Sequence, residues 1–109
     1  MLIGSPYIVP AIAVNDPLFT LSVPAKTTAA TGIDAFTHAI EAYISRKAHP
    51  FTETMSLSAI KRISKYIRRA WANGDDLEAI SEIMIASMEA GIAFSNASVT
   101  IVHGMSRPV

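Results

Sequence analysis

Residues 30–43 read ATGIDAFTHAIEAY, and this stretch predicts an amphipathic helix. At about 100° of rotation per residue, its ionisable side chains other than Tyr43, together with Ser45 just beyond it, fall within one narrow stripe. That stripe comprises Asp34, His38, Glu41 and Ser45. The opposite side is apolar and comprises Ile33, Phe36, Ile40, Tyr43 and Ile44. The pattern is typical of a helix with one solvated side and one side in the core.

Asp34 and His38 stand four residues apart, so on a helix their side chains face the same way. A carboxylate oxygen beside an imidazole nitrogen can bind one cation, but a metal site needs further ligands. His103 is the candidate for a third ligand, because it lies in a glycine-containing segment between apolar runs. From the spacing alone, the favoured interpretation is a solvated helix face on which Asp34 and His38 form an ordinary polar pair.

Further along the chain, the apolar spacing predicts two more helices. We expect the first helix over roughly residues 28–46, the second over 52–73 and the third over 75–96. The expected apolar rows are Met55, Ile60, Ile63, Ile67 and Trp71 in the second helix, and Leu77, Ile80, Met84, Met88 and Ile92 in the third. After residue 96 the helical pattern weakens.

The second helix is rich in basic residues and the third is rich in acidic ones. The basic residues are Lys61, Arg62, Lys65, Arg68 and Arg69, and the acidic ones are Asp75, Asp76, Glu78, Glu82 and Glu89. Two such helices could bind two different partners. We favour the interpretation that the two charged faces attract each other.

Residues 1–24 differ from the rest of the chain. Short apolar runs at residues 7–9 and 11–14 are punctuated by prolines, which predicts one or two short strands. Two strands alone cannot form a stable sheet, so they would pair weakly or belong to a larger sheet. The predicted fold is therefore mainly α, with short N-terminal β segments.

Composition excludes several classes of protein. Among 109 residues, nine Lys and Arg balance nine Asp and Glu, which argues against binding to nucleic acid or a membrane surface. The chain has no cysteine, so a disulfide scaffold, a thiolate metal cluster and a cysteine nucleophile are excluded. No stretch reads as an export signal or a membrane span, and we expect a cytoplasmic protein.

Three segments resemble the iron-containing (group III) alcohol dehydrogenases. Residues 30–43 resemble one signature of that family, and AGIAFSNAS at 90–98, followed by VHGM at 102–105, resembles its second. Residues 14–17 (VNDP) and 21–24 (LSVP) resemble the linker that leaves its cofactor domain. The resemblance covers nearly the whole chain, with the segments in the family's order.

The resemblance implies a two-domain dehydrogenase, with an α/β domain for a nicotinamide dinucleotide and an all-helical domain for a divalent metal. Residues 1–24 would be the trailing strands and linker of the cofactor domain, and residues 25–109 an incomplete helical metal-binding domain. Asp34, His38 and His103 match the family's Asp and its first two His ligands. Its fourth ligand would lie beyond residue 109.

Three further residues follow from the resemblance. Phe19 lies in a segment that passes beside the cofactor in the family. Arg107 occupies a catalytic position, near the nicotinamide and the alcohol, that is histidine in many members. Because arginine is permanently charged, it cannot relay a proton as histidine does. Glu41 could orient a metal ligand or face solvent.

The implied activity is hydride transfer between a small alcohol or aldehyde and NAD or NADP, with Fe(II) or Zn(II) as a Lewis acid. The intact enzyme would be a homo-oligomer, whereas the 109-residue chain alone would be inactive. The alternative is a non-catalytic helical module derived from such an enzyme, which binds a partner through exposed apolar faces. Dependence on metal would distinguish the two.

Overall fold

The structure is a computed structural model that describes residues 10–106. A short 3₁₀ helix, Pro17–Thr20, precedes α1 (Ala25–Tyr43), α2 (Pro50–Ala72), α3 (Leu77–Ala97) and α4 (Ile101–Ser106). The three long helices pack against one another, and α4 lies against α1. The prediction of a mainly helical fold is confirmed. No helix within these residues is long and apolar enough to cross a membrane.

The strand predicted at residues 11–14 is wrong. These residues form no strand, and Ile12 and Val14 are 81% and 85% exposed. A strand is stable only when it pairs with another strand, and residues 10–106 contain none. The other predicted strand, at residues 7–9, lies outside the described part of the chain.

Helix α1 is shifted toward the N-terminus relative to the prediction. It begins directly after Pro24, whose carbonyl accepts the N–H of Thr28 at 3.0 Å. It ends at Tyr43 because Ser45 takes part in a turn: its hydroxyl donates to the carbonyl of Ala97 at the end of α3. A serine side chain that bonds outside its own helix stabilises such a termination.

The ends of α2 and α3 agree with the prediction to within two residues. Extended His49 precedes Pro50 in the first turn of α2, where proline costs no hydrogen bond. The Thr52 hydroxyl accepts the His49 N–H at 3.0 Å and donates to its carbonyl at 2.9 Å. At α3, the Asp76 carboxylate accepts the Ala79 N–H at 3.1 Å and caps the helix.

Small side chains form the core between the long helices. The main cluster of buried residues comprises Ala35, Ala39, Ala59, Ile63, Ala86 and Ala90. Helices lined with alanine can approach one another closely. The approach is also close at Gly32 of α1, where an added Cβ would lie 2.3 Å from Cδ1 of Ile67 in α2.

The predicted apolar rows are therefore only partly right. Ile63 and Ile80 are buried as expected, but Ile33, Ile44 and Trp71 are more than half exposed. The bulky side chains lie beside the contact between helices, because the alanines and Gly32 occupy its centre. Periodicity identified the apolar residues of each helix. It did not show which of them are small enough to be buried where the helices lie close together.

The charged faces of α2 and α3 attract each other, as predicted. Arg62 pairs with Glu82 and with Glu89, the latter at 3.3 Å between Nε and Oε2. Closer to the α2–α3 turn, Arg69 pairs with Asp76 at 2.9 Å and with Glu78 at 2.7 Å. The Arg69 pairs tie the end of α2 to the start of α3, and the Arg62 pairs link the interiors of the two helices.

Candidate metal centre

Helix α1 carries the first two of the predicted ligands one turn apart. Oδ2 of Asp34 lies 3.5 Å from Nδ1 of His38. The Asp34 side chain is 62% exposed, whereas that of His38 is 20% exposed and stacks against Phe94 of α3 with ring centroids 4.5 Å apart. The fold therefore holds the imidazole against the bundle and leaves the carboxylate at the surface.

Helix α4 brings His103 to the same place. Its Nε2 lies 3.5 Å from Oδ1 of Asp34, and its ring stacks on that of His38 with centroids 3.9 Å apart. One potential ligand atom from each of Asp34, His38 and His103 lies within 4.8 Å of the others. Residues separated by 65 positions in the sequence thus form one cluster, as the ligand prediction requires.

Glu41 lies behind this cluster and is only 2% exposed. Its Oε1 accepts the Thr100 hydroxyl at 2.9 Å and the Val102 N–H at 2.6 Å, and its Oε2 pairs with Nδ1 of His103. Burial would raise the pKa of this carboxyl, but the hydrogen bonds from His103, Thr100 and Val102 outweigh it and lower the pKa to about 2. Glu41 is therefore an ionised carboxylate in a buried position.

The electrostatics of His38 favour its neutral form. Burial lowers the pKa of the imidazole, and the neighbouring His103 lowers it further, against the opposing effect of Asp34 and Glu41. A neutral imidazole is the form that binds a metal, because its nitrogen lone pair is free.

This donor set fits a divalent transition metal. Asp34 supplies one carboxylate, His38 and His103 supply two imidazoles, and imidazole-rich sites of this kind suit iron and zinc. Glu41 contacts Nδ1 of His103, which leaves Nε2 facing the cluster. Contacts of this kind orient histidine ligands in metalloproteins.

The other predicted site residues are not part of this cluster. Phe19 lies in the 3₁₀ helix with its side chain 85% exposed, and Arg107 lies outside the described residues. From the sequence, Glu41 could either orient a metal ligand or face solvent, and no pattern pointed to Thr100. Only the shared stripe with Asp34 and His38 indicated that Glu41 could face the site.

Fold and site together define a class of protein: a helical domain that presents a carboxylate–imidazole cluster able to hold a metal ion. Residues 28–109 match the family described as "Fe-containing alcohol dehydrogenase family, C-terminal". The chain belongs to this family of iron-containing alcohol dehydrogenases.

Individual relatives agree with the family assignment. The chain is 47% identical over 97 residues to 1,3-propanediol dehydrogenase of Citrobacter freundii, covering 89% of this chain and 25% of the relative. It is 42% identical to NAD-dependent methanol dehydrogenase of Bacillus methanolicus, covering 94% and 27%. The solved iron-containing alcohol dehydrogenase of Thermococcus thioreducens superposes with a TM-score of 0.90 at 34% identity, covering 94% of this chain and 27% of that one. The chain thus spans about a quarter of the length of these relatives.

Proposed function

We propose that this chain is the part of a metal-dependent, NAD(P)-linked alcohol dehydrogenase that binds the metal. The observation that carries the proposal is the convergence of Asp34, His38 and His103, whose ligand atoms lie within 4.8 Å of one another. The family membership supports it, as do the names of the relatives, which are dehydrogenases. No observation favours a non-catalytic module, since exposed apolar faces are expected of both.

In this proposal, Asp34, His38 and His103 ligate Fe(II) or Zn(II), and a further ligand lies outside this chain. A divalent cation bound there would supply Lewis acidity, which polarises a carbonyl or lowers the pKa of an alcohol. The protein's own part is to hold one carboxylate and two imidazoles at fixed positions and to keep His38 neutral.

We assign residues 1–24 to the end of the cofactor domain and residues 25–109 to the helical domain. Phe19 is proposed to contact the cofactor, and its exposed ring is available for such a contact. Arg107 is proposed to lie near the reacting alcohol. NAD or NADP is the proposed cofactor, and a small alcohol or aldehyde the substrate, in line with the relatives' names. A homo-oligomeric intact enzyme and a cytoplasmic location stay predictions.

The direct test is metal retention by a His38→Ala variant of the intact enzyme. Loss of one of three clustered donors should abolish retention of Fe(II) or Zn(II) after gel filtration, as measured by elemental analysis. His49→Ala is the matched control, because His49 is exposed at the start of α2 and outside the cluster. If the His38→Ala variant kept its metal at the wild-type stoichiometry, the ligand assignment would be refuted.

A second test concerns the 109-residue chain by itself. We expect it to bind a divalent metal weakly and to catalyse no NAD-dependent alcohol oxidation, because it spans about a quarter of the relatives' length. The assay follows NADH formation with and without added metal. Turnover above the metal-free blank would contradict this expectation.

A further inference from the structure

Glu41 joins the two helices that carry the proposed ligands. It belongs to α1, yet the partners of its side chain within residues 10–106 lie at the start of α4 or just before it: Thr100, Val102 and His103. A buried carboxylate needs several donors to offset the loss of water, and these three supply them.

The contact with His103 determines which of its ring nitrogens carries the proton. Oε1 of Glu41 already accepts hydrogen bonds from Thr100 and Val102, and Oε2 lies against Nδ1 of His103. Carboxylate oxygens act as acceptors, so Nδ1 of His103 donates to Oε2. In the neutral ring the lone pair is then on Nε2, the atom that lies 3.5 Å from Oδ1 of Asp34. Glu41 therefore directs the metal-binding nitrogen of His103 toward the cluster.

The contact with Val102 concerns the position of α4 itself. This helix has six residues, and a helix this short is not stable without help from its surroundings. Oε1 of Glu41 accepts the Val102 N–H in the first turn, where no carbonyl of the helix is available. The negative charge also lies near the positive end of the α4 dipole.

We propose that Glu41 is a positioning residue that anchors α4 to α1 and fixes the Nδ1–H tautomer of His103, and thereby raises the affinity of the site for a divalent cation. This inference rests on the proposed function, because it assumes that His103 is a ligand. It assigns to Glu41 no contact with the cation or with substrate.

The wild-type chain tests the tautomer without any substitution. In metal-free protein labelled with ¹⁵N, long-range proton–nitrogen correlation spectra distinguish the two tautomers of each neutral histidine. We expect the proton of His103 on Nδ1. A predominant Nε2–H tautomer would overturn the proposal.

Glu41→Gln tests the link between tautomer and affinity. The glutamine oxygen would remain with the donors Thr100 and Val102, so its amide group would face Nδ1 of His103 and donate to it. The proton of His103 would then move to Nε2 and block that nitrogen. We expect a switch of tautomer, and a roughly 10- to 100-fold weaker affinity for Zn²⁺ in calorimetric titration of the intact enzyme. A loss of about this size is typical when the hydrogen-bond partner of a histidine ligand is removed.

Two control variants separate this role from general destabilisation. Glu78→Gln makes the same chemical change at an exposed carboxylate outside the cluster, and should leave both tautomer and affinity unchanged. Thr100→Val removes one donor to Glu41 but leaves its contact with His103, so the tautomer should stay as in the wild type. Circular dichroism checks that each variant remains helical.

The outcomes distinguish this inference from the proposed function. If His38→Ala loses Zn²⁺ binding but Glu41→Gln binds as tightly as the wild type, the role of Glu41 is refuted and the ligand assignment stands. If the intact wild-type enzyme does not bind Zn²⁺, the proposed function and the effect on affinity both fail. If Glu41→Gln does not fold, the tautomer of the wild type decides whether Glu41 positions His103.

Discussion

The α2–α3 pair and the α1–α4 junction are held together in different ways. Helices α2 and α3 have 23 and 21 residues, share a core of small side chains, and are tied by ion pairs of Arg62 and Arg69. Helix α4 has six residues and is anchored to α1 through the carboxylate of Glu41. It follows Ser98, whose backbone has φ 66° and ψ 174°, a region that glycine favours.

The α2–α3 pair belongs to the packed bundle, whereas the α1–α4 junction forms the proposed metal site. The proposed ligands Asp34 and His38 lie on a helix packed into the bundle, whereas His103 lies on a short helix behind a strained connection. Segments with few buried contacts open more readily than the core. We therefore expect the third proposed ligand to depend on local interactions that contribute little to the stability of the bundle.

The largest expected effect comes from enlarging a residue of the shared core. Ala59 is fully buried between the helices, so Ala59→Leu should lower the free energy of unfolding by about 3 kcal/mol. Leu57→Ala, two residues away on the same helix but 51% exposed, should change it by less than about 0.5 kcal/mol. Chemical denaturation followed by circular dichroism measures both. If the free energy of unfolding fell by a similar amount in both variants, the alanine packing would not limit the distance between the helices.

A smaller effect is expected at the junction. Ser98→Gly should relieve backbone strain of about 1 kcal/mol and so slow hydrogen exchange of the α4 amides by about fivefold. Amides in the middle of α2 should exchange as before. Ser98→Ala keeps a Cβ and should give no such gain. Equal protection in the glycine and alanine variants would mean that Ser98 is not strained.

The smallest expected effect concerns the ion pairs of the α2–α3 turn. The Arg69 guanidinium, together with the Ala79 N–H, lowers the pKa of Asp76 from its ordinary value of 3.8. Because the folded pKa lies below the unfolded one, the stabilisation is complete above about pH 4 and is lost as the pH falls further.

Asp76→Asn keeps an oxygen that can cap α3 but removes the charge. We expect this variant to be slightly less stable than the wild type at neutral pH, and the difference to shrink as the pH falls below the ordinary pKa of Asp76. Thermal unfolding across this pH range measures the difference. If the difference in stability between variant and wild type stayed constant with pH, the charge of Asp76 would contribute nothing to stability.

The sequence predicted the elements well and the packing poorly. Prolines, the Asp76 cap and apolar spacing placed α2 and α3 to within two residues, because these signals act locally. The end of α1 was misplaced because it depends on a hydrogen bond from Ser45 to Ala97, 52 residues away. The exposed positions of Ile33 and Ile44 likewise depend on how closely the helices approach, which spacing alone does not encode.

For the site, the sequence by itself determined the chemistry. One turn of helix puts Asp34 and His38 on the same stripe whatever surrounds them. His103 was indicated by its glycine-containing segment between apolar runs, and then by the family resemblance. Only the tertiary structure decided that α4 brings His103 onto that stripe, and that Glu41 is buried behind it as an ionised carboxylate. The reason is physical: the helical repeat fixes contacts between residues four apart, whereas contacts 62 or 65 residues apart exist only once the helices have packed.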